Sequence, residues 1–273
     1  MKTIRTIQKI FLPILTLVYV ATSCSETIEF EFNPVKPEIV VEGHVPALEC
    51  AEVILSKTAE INSSNPQDNL IKNALVTLED NSGISEILVE VSPGHYRSNK
   101  IRGMPGSTYK LTVQTNESEK TINSMDVMPA ESVSINKLRA RRSILPEIEG
   151  VKMPEWEVIV EYTDPAKETN YYRFVEYVNG KIIASYVEDD KLNNGKDSKS
   201  FLTNFDRQLS PGDTLTIEMQ SISEAVYNYF YSFSYLGQLV QGSTKTNPIT
   251  NINGAELGYF SAYASCKKSI VIE

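Results

Sequence analysis

The sequence predicts a mainly β protein built as two β domains in series, the second carrying one amphipathic helix. Three observations carry this. Strand-length runs of alternating apolar and polar residues recur along the chain, separated by clusters of Gly, Pro, Asn, Asp and Ser. The 13 Gly and 13 Pro supply the turns that many short strands need, and the 14 Tyr suit half-buried pleated surfaces. Only one segment, SISEAVYNYFYSFSYLGQLVQG (221–242), switches to helical spacing.

The chain opens on Lys2, Arg5 and Lys9, followed by an apolar run from Ile10 to Ala21. This is the n-region and h-region of a secretory signal, and it is too short to span a bilayer. Ala21, Thr22 and Ser23 stand directly before Cys24, a pattern that resembles the lipobox of bacterial lipoproteins. The resemblance implies cleavage after residue 23 and acylation of Cys24, which becomes the mature N-terminus and anchors the protein in a membrane. At about 0.8 kcal/mol per buried methylene, three acyl chains would hold it there permanently. Residues 24–37 then form an acidic tether, with Glu26, Glu29 and Glu31 close behind the lipid.

The first domain is expected over 38–130, from PEIVVEGHV, AEVILSKT, NALVTLEDNSG, ISEILVEV, GHYRSNK, STYKLTVQT and EKTINSMDV. In ALVTLED, Ala74, Val76 and Leu78 alternate with Leu75, Thr77 and Glu79, the period of a half-buried strand. Seven such strands in this length predict an immunoglobulin-like or transthyretin-like sandwich. The succession NALVTLEDNSG, GHYRS, MPGSTYKLTV also resembles the carboxypeptidase-regulatory-like sandwich, which implies a scaffold or binding module.

VMPAES (127–132) breaks the pattern, and the second antiparallel β domain is expected over 131–273. Its strands are longer. In EWEVIVEYTD, Trp156, Val158, Val160 and Tyr162 share one face and Glu157 and Glu161 the other. Asn179-Gly180 inside FVEYVNGKIIASY predicts a tight hairpin, and Leu215, Ile217 and Met219 of DTLTIEM point inward. The helix, at about 221–241, presents Val226, Tyr229, Phe230, Phe233, Leu236 and Val240 as a core stripe, with Ser221 and Glu224 as a capping box. Tyr227, Tyr231 and Tyr235 lie beside that stripe as a candidate contact surface.

Charge excludes some partners. The net charge of −9 becomes −12 once residues 1–23 leave, because they hold three of the 26 Lys and Arg and none of the 35 acidic residues. Nucleic acid is therefore not an expected partner, since phosphate binding needs a basic footprint. The remaining cysteines, Cys50 and Cys266, read as a candidate disulfide in an oxidising compartment, worth roughly 5 kcal/mol in the chain-entropy model. Two separate thiols are the alternative. EDDKLNNGKDSKS (188–200) fails as a calcium loop, because Leu192 and Phe201 fall where oxygen ligands are required. Arg139 and Arg141 share a strand face that suits either solvent or an acidic partner. No motif for a nucleophile, a metal or a phosphate is present, so no catalytic residue, metal or cofactor is predicted.

The lipobox and tether, EIVVEGHV, DPAKETNYYRF, SISEAVYNYFYSF and NPITNINGAELGYFSAYA follow one another in an order that resembles a Bacteroidetes lipoprotein family, domain of unknown function 4249. The most specific pieces are NYYRF and TNINGAELGYFSAYA, the latter delivering Tyr259, Phe260 and Tyr263 as a further candidate ligand or partner surface. The resemblance implies an outer-membrane lipoprotein, often encoded beside TonB-dependent transporters, and no catalytic residues. The acidic tether is similar to the export signal of surface-exposed lipoproteins of this phylum.

The expected function is thus a non-enzymatic, surface-exposed outer-membrane lipoprotein that binds a glycan or peptide nutrient, or the TonB-dependent transporter that imports it. One alternative is a glycan- or peptide-acting hydrolase using carboxylates such as Glu157, Glu161 and Asp164, which would need two of them about 5–10 Å apart. Another is an adhesin-like structural lipoprotein.

Overall fold

Alternating residues form the strands of this protein, and Gly, Pro, Asn and Asp supply turns between them. The computed structural model describes residues 37–58, 69–144, 153–236 and 247–273, and only the backbone of Tyr235 and Leu236. The signal segment, Cys24 and the tether up to residue 36 lie outside the described residues. The first strands are β1 (Ile39–Pro46), β2 (Cys50–Lys57), β3 (Leu75–Asp80), β4 (Ser85–Ile87), β5 (Val89–Ser92), β6 (His95–Arg102), β7 (Thr108–Thr115) and β8 (Ser118–Val127). They are followed by β9 (Ile135–Arg142), β10 (Trp156–Thr163), β11 (Tyr171–Val178), β12 (Lys181–Asp189), β13 (Asp197–Leu202) and β14 (Thr214–Ile222). Helix α1 (Glu224–Leu236), β15 (Ile252–Asn253) and β16 (Leu257–Val271) complete the fold.

One eight-stranded sheet, ordered β12-β11-β14-β16-β1-β2-β6-β5, runs through the molecule. A five-stranded sheet, β15-β8-β7-β3-β4, and a three-stranded sheet, β13-β10-β9, complete the β structure among the described residues. The protein is therefore mainly β, with one helix among the described residues, in a sandwich layout with two cores. The first core joins Val41, Val53, Leu55 and Tyr96 to Val76, Leu78, Leu111 and Ile122. The second joins Trp156, Val158, Val160 and Tyr162 to Phe174, Leu215, Ile217 and Met219. Inward residues of each strand thus bury against a facing sheet, as their alternation predicts.

The last strand binds the two cores together. Leu257 to Tyr263 of β16 pair parallel with β1, and Ala264 to Val271 pair antiparallel with β14. The expected second domain, 131–273, therefore gives Ile252, Phe260 and Ala262 to the first core. Gly258 makes the parallel approach feasible. Its φ is +108°, and a Cβ there would stand 2.0 Å from the Val41 carbonyl oxygen.

Two local details concern the β11–β12 hairpin and the start of the helix. Asn179 (φ 50°) and Gly180 (φ 79°) close the β11–β12 hairpin in the conformation that Asn-Gly favours. Helix α1 begins two residues later than the expected box: Ser221 is buried in β14, and the Ser223 hydroxyl accepts the Val226 N–H at 3.3 Å. Val226 is fully buried, but Phe233 is 58% exposed, so the stripe packs only along its first turns.

Below the helix start, buried Asp126 accepts the Ala262 N–H at 2.7 Å. Burial pushes its carboxyl up to about 6, against hydrogen bonds from Ser223 and the backbone that lower it. The native state therefore holds this proton more tightly than the unfolded chain. Its stabilisation is complete below pH about 4 and is lost as pH rises through about 6. Asp126→Asn, which keeps an acceptor for Ala262, is expected to remove a decline of on the order of 2–3 kcal/mol across that window. Urea unfolding at pH 4, 5 and 6 checks it; parallel declines in both proteins would contradict it.

Candidate functional site

The two smaller sheets supply the facing layers of the two cores, which leaves a polar face on the eight-stranded sheet. Alternation dictates which residues occupy it. On β11 it presents Arg173, Val175 and Tyr177; on β14, Glu218 and Gln220; on β16, Tyr259 and Tyr263; on β1, Glu42, His44 and Pro46. With Cys50, Glu52, Arg97 and Ile182 these line a groove of about 450 Å³. Helix α1 closes one end, where Tyr229 and Phe230 pack on Tyr259 with ring centroids 4.9 and 4.7 Å apart.

Several groups on this face are polar yet scarcely exposed. Glu218 and Gln220 are each 4% exposed, an unusual investment for a surface without a partner. Burial would push Glu218 up, but a hydrogen bond from Tyr177 Oη at 2.8 Å and the Lys267 ammonium at 3.5 Å hold it below the usual range. The same contact, after burial, pushes Tyr177 up to about 12. His44 is lowered to about 4 by burial and then by the positive charge of Arg173, so it is a neutral imidazole at pH 7. It stands edge-on to Tyr259, with ring centroids 5.4 Å apart. Burial likewise raises Tyr259 and Tyr263, which stay protonated donors.

Arg173 lines the groove from β11. Its guanidinium lies 4.0 Å over the Phe230 ring and its Nη1 donates to Gln220 Oε1 at 3.3 Å. Among the described residues it has no carboxylate partner, and its buried Nε–H has no acceptor. Where the helix meets β11 a second aromatic group is partly exposed: Tyr171, Tyr227 and Tyr231 lie in a row with centroids 5.1 and 5.6 Å apart. Tyr227 Oη donates to Asp189 at 3.5 Å, and Asp189 pairs with Lys191 at 2.7 Å.

Of the residues singled out by sequence, Tyr259 and Tyr263 line the groove, and Tyr227 and Tyr231 belong to the partly exposed row. The side chain of Tyr235 lies outside the described residues. Phe260 is not a surface residue: strand alternation turns it into the first core, where it is fully buried. Cys50 and Cys266 are both free thiols, contrary to the bridge expected. Cys50 lines the groove while Cys266 packs against the second core, and β1 runs between their strands. Two strand spacings, near 10 Å, already exceed the roughly 7 Å limit for a disulfide.

The carboxylates named for a hydrolase are each committed elsewhere. Glu157 pairs with Arg141 at 2.7 Å, Glu161 with Arg139 and Lys199, and Asp164 binds the Tyr172 hydroxyl and the Gly195 N–H. Sequence reasoning missed Arg173, His44 and Glu218. The available signal was NYYRFVEY, where an arginine and a tyrosine alternate with core aromatics on one strand.

Among solved structures, the crystal structure of the FN1-FN3 domains of chicken CNTN1 is similar to this chain at 12% identity and a TM-score of 0.23, covering 68% of it. The chain spans 60% of that neighbour's length. No curated protein matches the sequence. A family model matches residues 25–269, nearly all of the described fold, and the chain belongs to the family described as Domain of unknown function (DUF4249).

Proposed function

We propose that this protein is a non-enzymatic, lipid-anchored binding subunit of the outer membrane, acting beside a TonB-dependent transporter in nutrient uptake. The observation that supports it best is the polar, tyrosine-lined groove on the large sheet, set on two packed cores. Rigid strands hold its donors and acceptors in place, which is what selective capture without chemistry requires. Cys24, in a segment that resembles a lipobox, supplies the lipid anchor of this reading.

The test is covalent capture in intact cells. A photo-crosslinking amino acid at Ile182, which is 65% exposed on the groove rim, is expected to trap a TonB-dependent barrel identifiable by mass spectrometry. Capture of envelope proteins without any such barrel would remove the uptake reading.

A further inference from the structure

Among the described residues Arg173 has no carboxylate at ion-pair distance, in a groove that also holds Glu42, Glu52 and Glu218. Its Nη1 is taken by Gln220, while the side-on edge formed by Nε and Nη2 has no acceptor among the described residues. Phe230 covers one face of the guanidinium and fixes its plane. Neutral His44 and the protonated Tyr263 hydroxyl stand in the same groove as further donors, and neither carries a competing negative charge. A buried N–H left without an acceptor is costly, and it is satisfied when a ligand supplies one.

We propose that the groove binds a ligand through a carboxylate group, held as a bidentate pair on the Nε/Nη2 edge of Arg173. This rests on the reading of the sheet face as a binding face. The planar fork of arginine matches the two oxygens of a carboxylate. Glu42, Glu52 and Glu218 around the groove select against dianions such as phosphate, whose second charge they repel. The rest of the ligand lies toward Tyr177 and Tyr263, which offer ring faces and hydroxyls.

The test uses the full chain and the smallest probe of each group. Acetate is expected to give a saturable shift of the Arg173 Nε–H signal in ¹⁵N-resolved NMR at pH 7, and its uncharged counterpart acetamide none. Arg173→Gln is expected to weaken acetate binding at least about tenfold, while Arg139→Gln, on β9 of the three-stranded sheet where it pairs with Glu161, leaves it unchanged. Arg173→Lys, which keeps the charge and loses the fork, is expected to weaken it as well, and it guards against a folding defect in the glutamine variant. Equal shifts with acetamide, equal competition by inorganic phosphate, or undiminished acetate binding by Arg173→Lys would each overturn the proposal. Capture at Ile182 with no acetate response would sink this inference alone and leave the binding face standing.

Discussion

Glu176→Ala is expected to lower the unfolding free energy by about 3–5 kcal/mol, the loss that follows when a buried charge is left without its partner. Glu176 sits on β11 at an inward position, in the middle of the second core, and its side chain is fully buried together with that of Arg207. The two form a fork: Arg207 Nε donates to one carboxylate oxygen and Nη2 to the other at 2.8 Å. The remaining Arg207 donors reach the carbonyls of Trp156 at 2.9 Å and Leu202 at 2.8 Å, and Tyr186 Oη donates to Glu176 at 2.8 Å. Removing the carboxylate strands a guanidinium that cannot deprotonate, in a place water does not reach. A double change of both residues to apolar ones of similar volume is expected to recover much of the loss, because the desolvation of two ions disappears with them. Urea unfolding of the single and double variants checks this. A single-variant loss under about 1 kcal/mol would show the pair to be hydrated.

Gly258→Ala is expected to cost at least about 3 kcal/mol, against about 1–2 kcal/mol for Gly83→Ala. Both glycines have positive φ, +108° and +86°, so both substitutions carry backbone strain. Only one carries a collision. Nothing lies within 4 Å of a Cβ built on Gly83, whereas one on Gly258 meets the Val41 carbonyl oxygen at 2.0 Å and its nitrogen at 2.6 Å. Those backbone atoms belong to the parallel β1–β16 ladder, which cannot yield locally without giving up pairing. Since β16 also carries Tyr259 and Tyr263, the substitution is expected to disturb the groove as well as the fold. Equal losses for the two variants would show that the ladder adapts.

Much of the fold was legible because each strand's alternation reports burial directly. Val158, Val160 and Tyr162 face inward, as do Leu215, Ile217 and Met219, and Asn179-Gly180 turns where its conformational preference requires. What stayed hidden depends on strand order. The parallel pairing of β1 with β16 joins the two ends of the described fold, and no local pattern encodes it. The disulfide expectation failed for that reason: proximity in the sheet would have required Cys50 and Cys266 on neighbouring strands and one face. The groove was half legible. Tyr259 and Tyr263 were marked by an aromatic run, but Arg173 and Glu176 alternate on β11, and sequence alone does not say which charge faces the core. The partner that decides it, Arg207, lies in a loop 31 residues on.

The claim that the open sheet face is where this protein meets its partner is tested most directly by comparing two crosslinking positions in intact cells. Ile182 lies on the groove rim, and Val127, 50% exposed, lies on β8 of the five-stranded sheet. Capture from Ile182 and none from Val127 is the predicted result. Capture from Val127 alone, or equally from both, would contradict it.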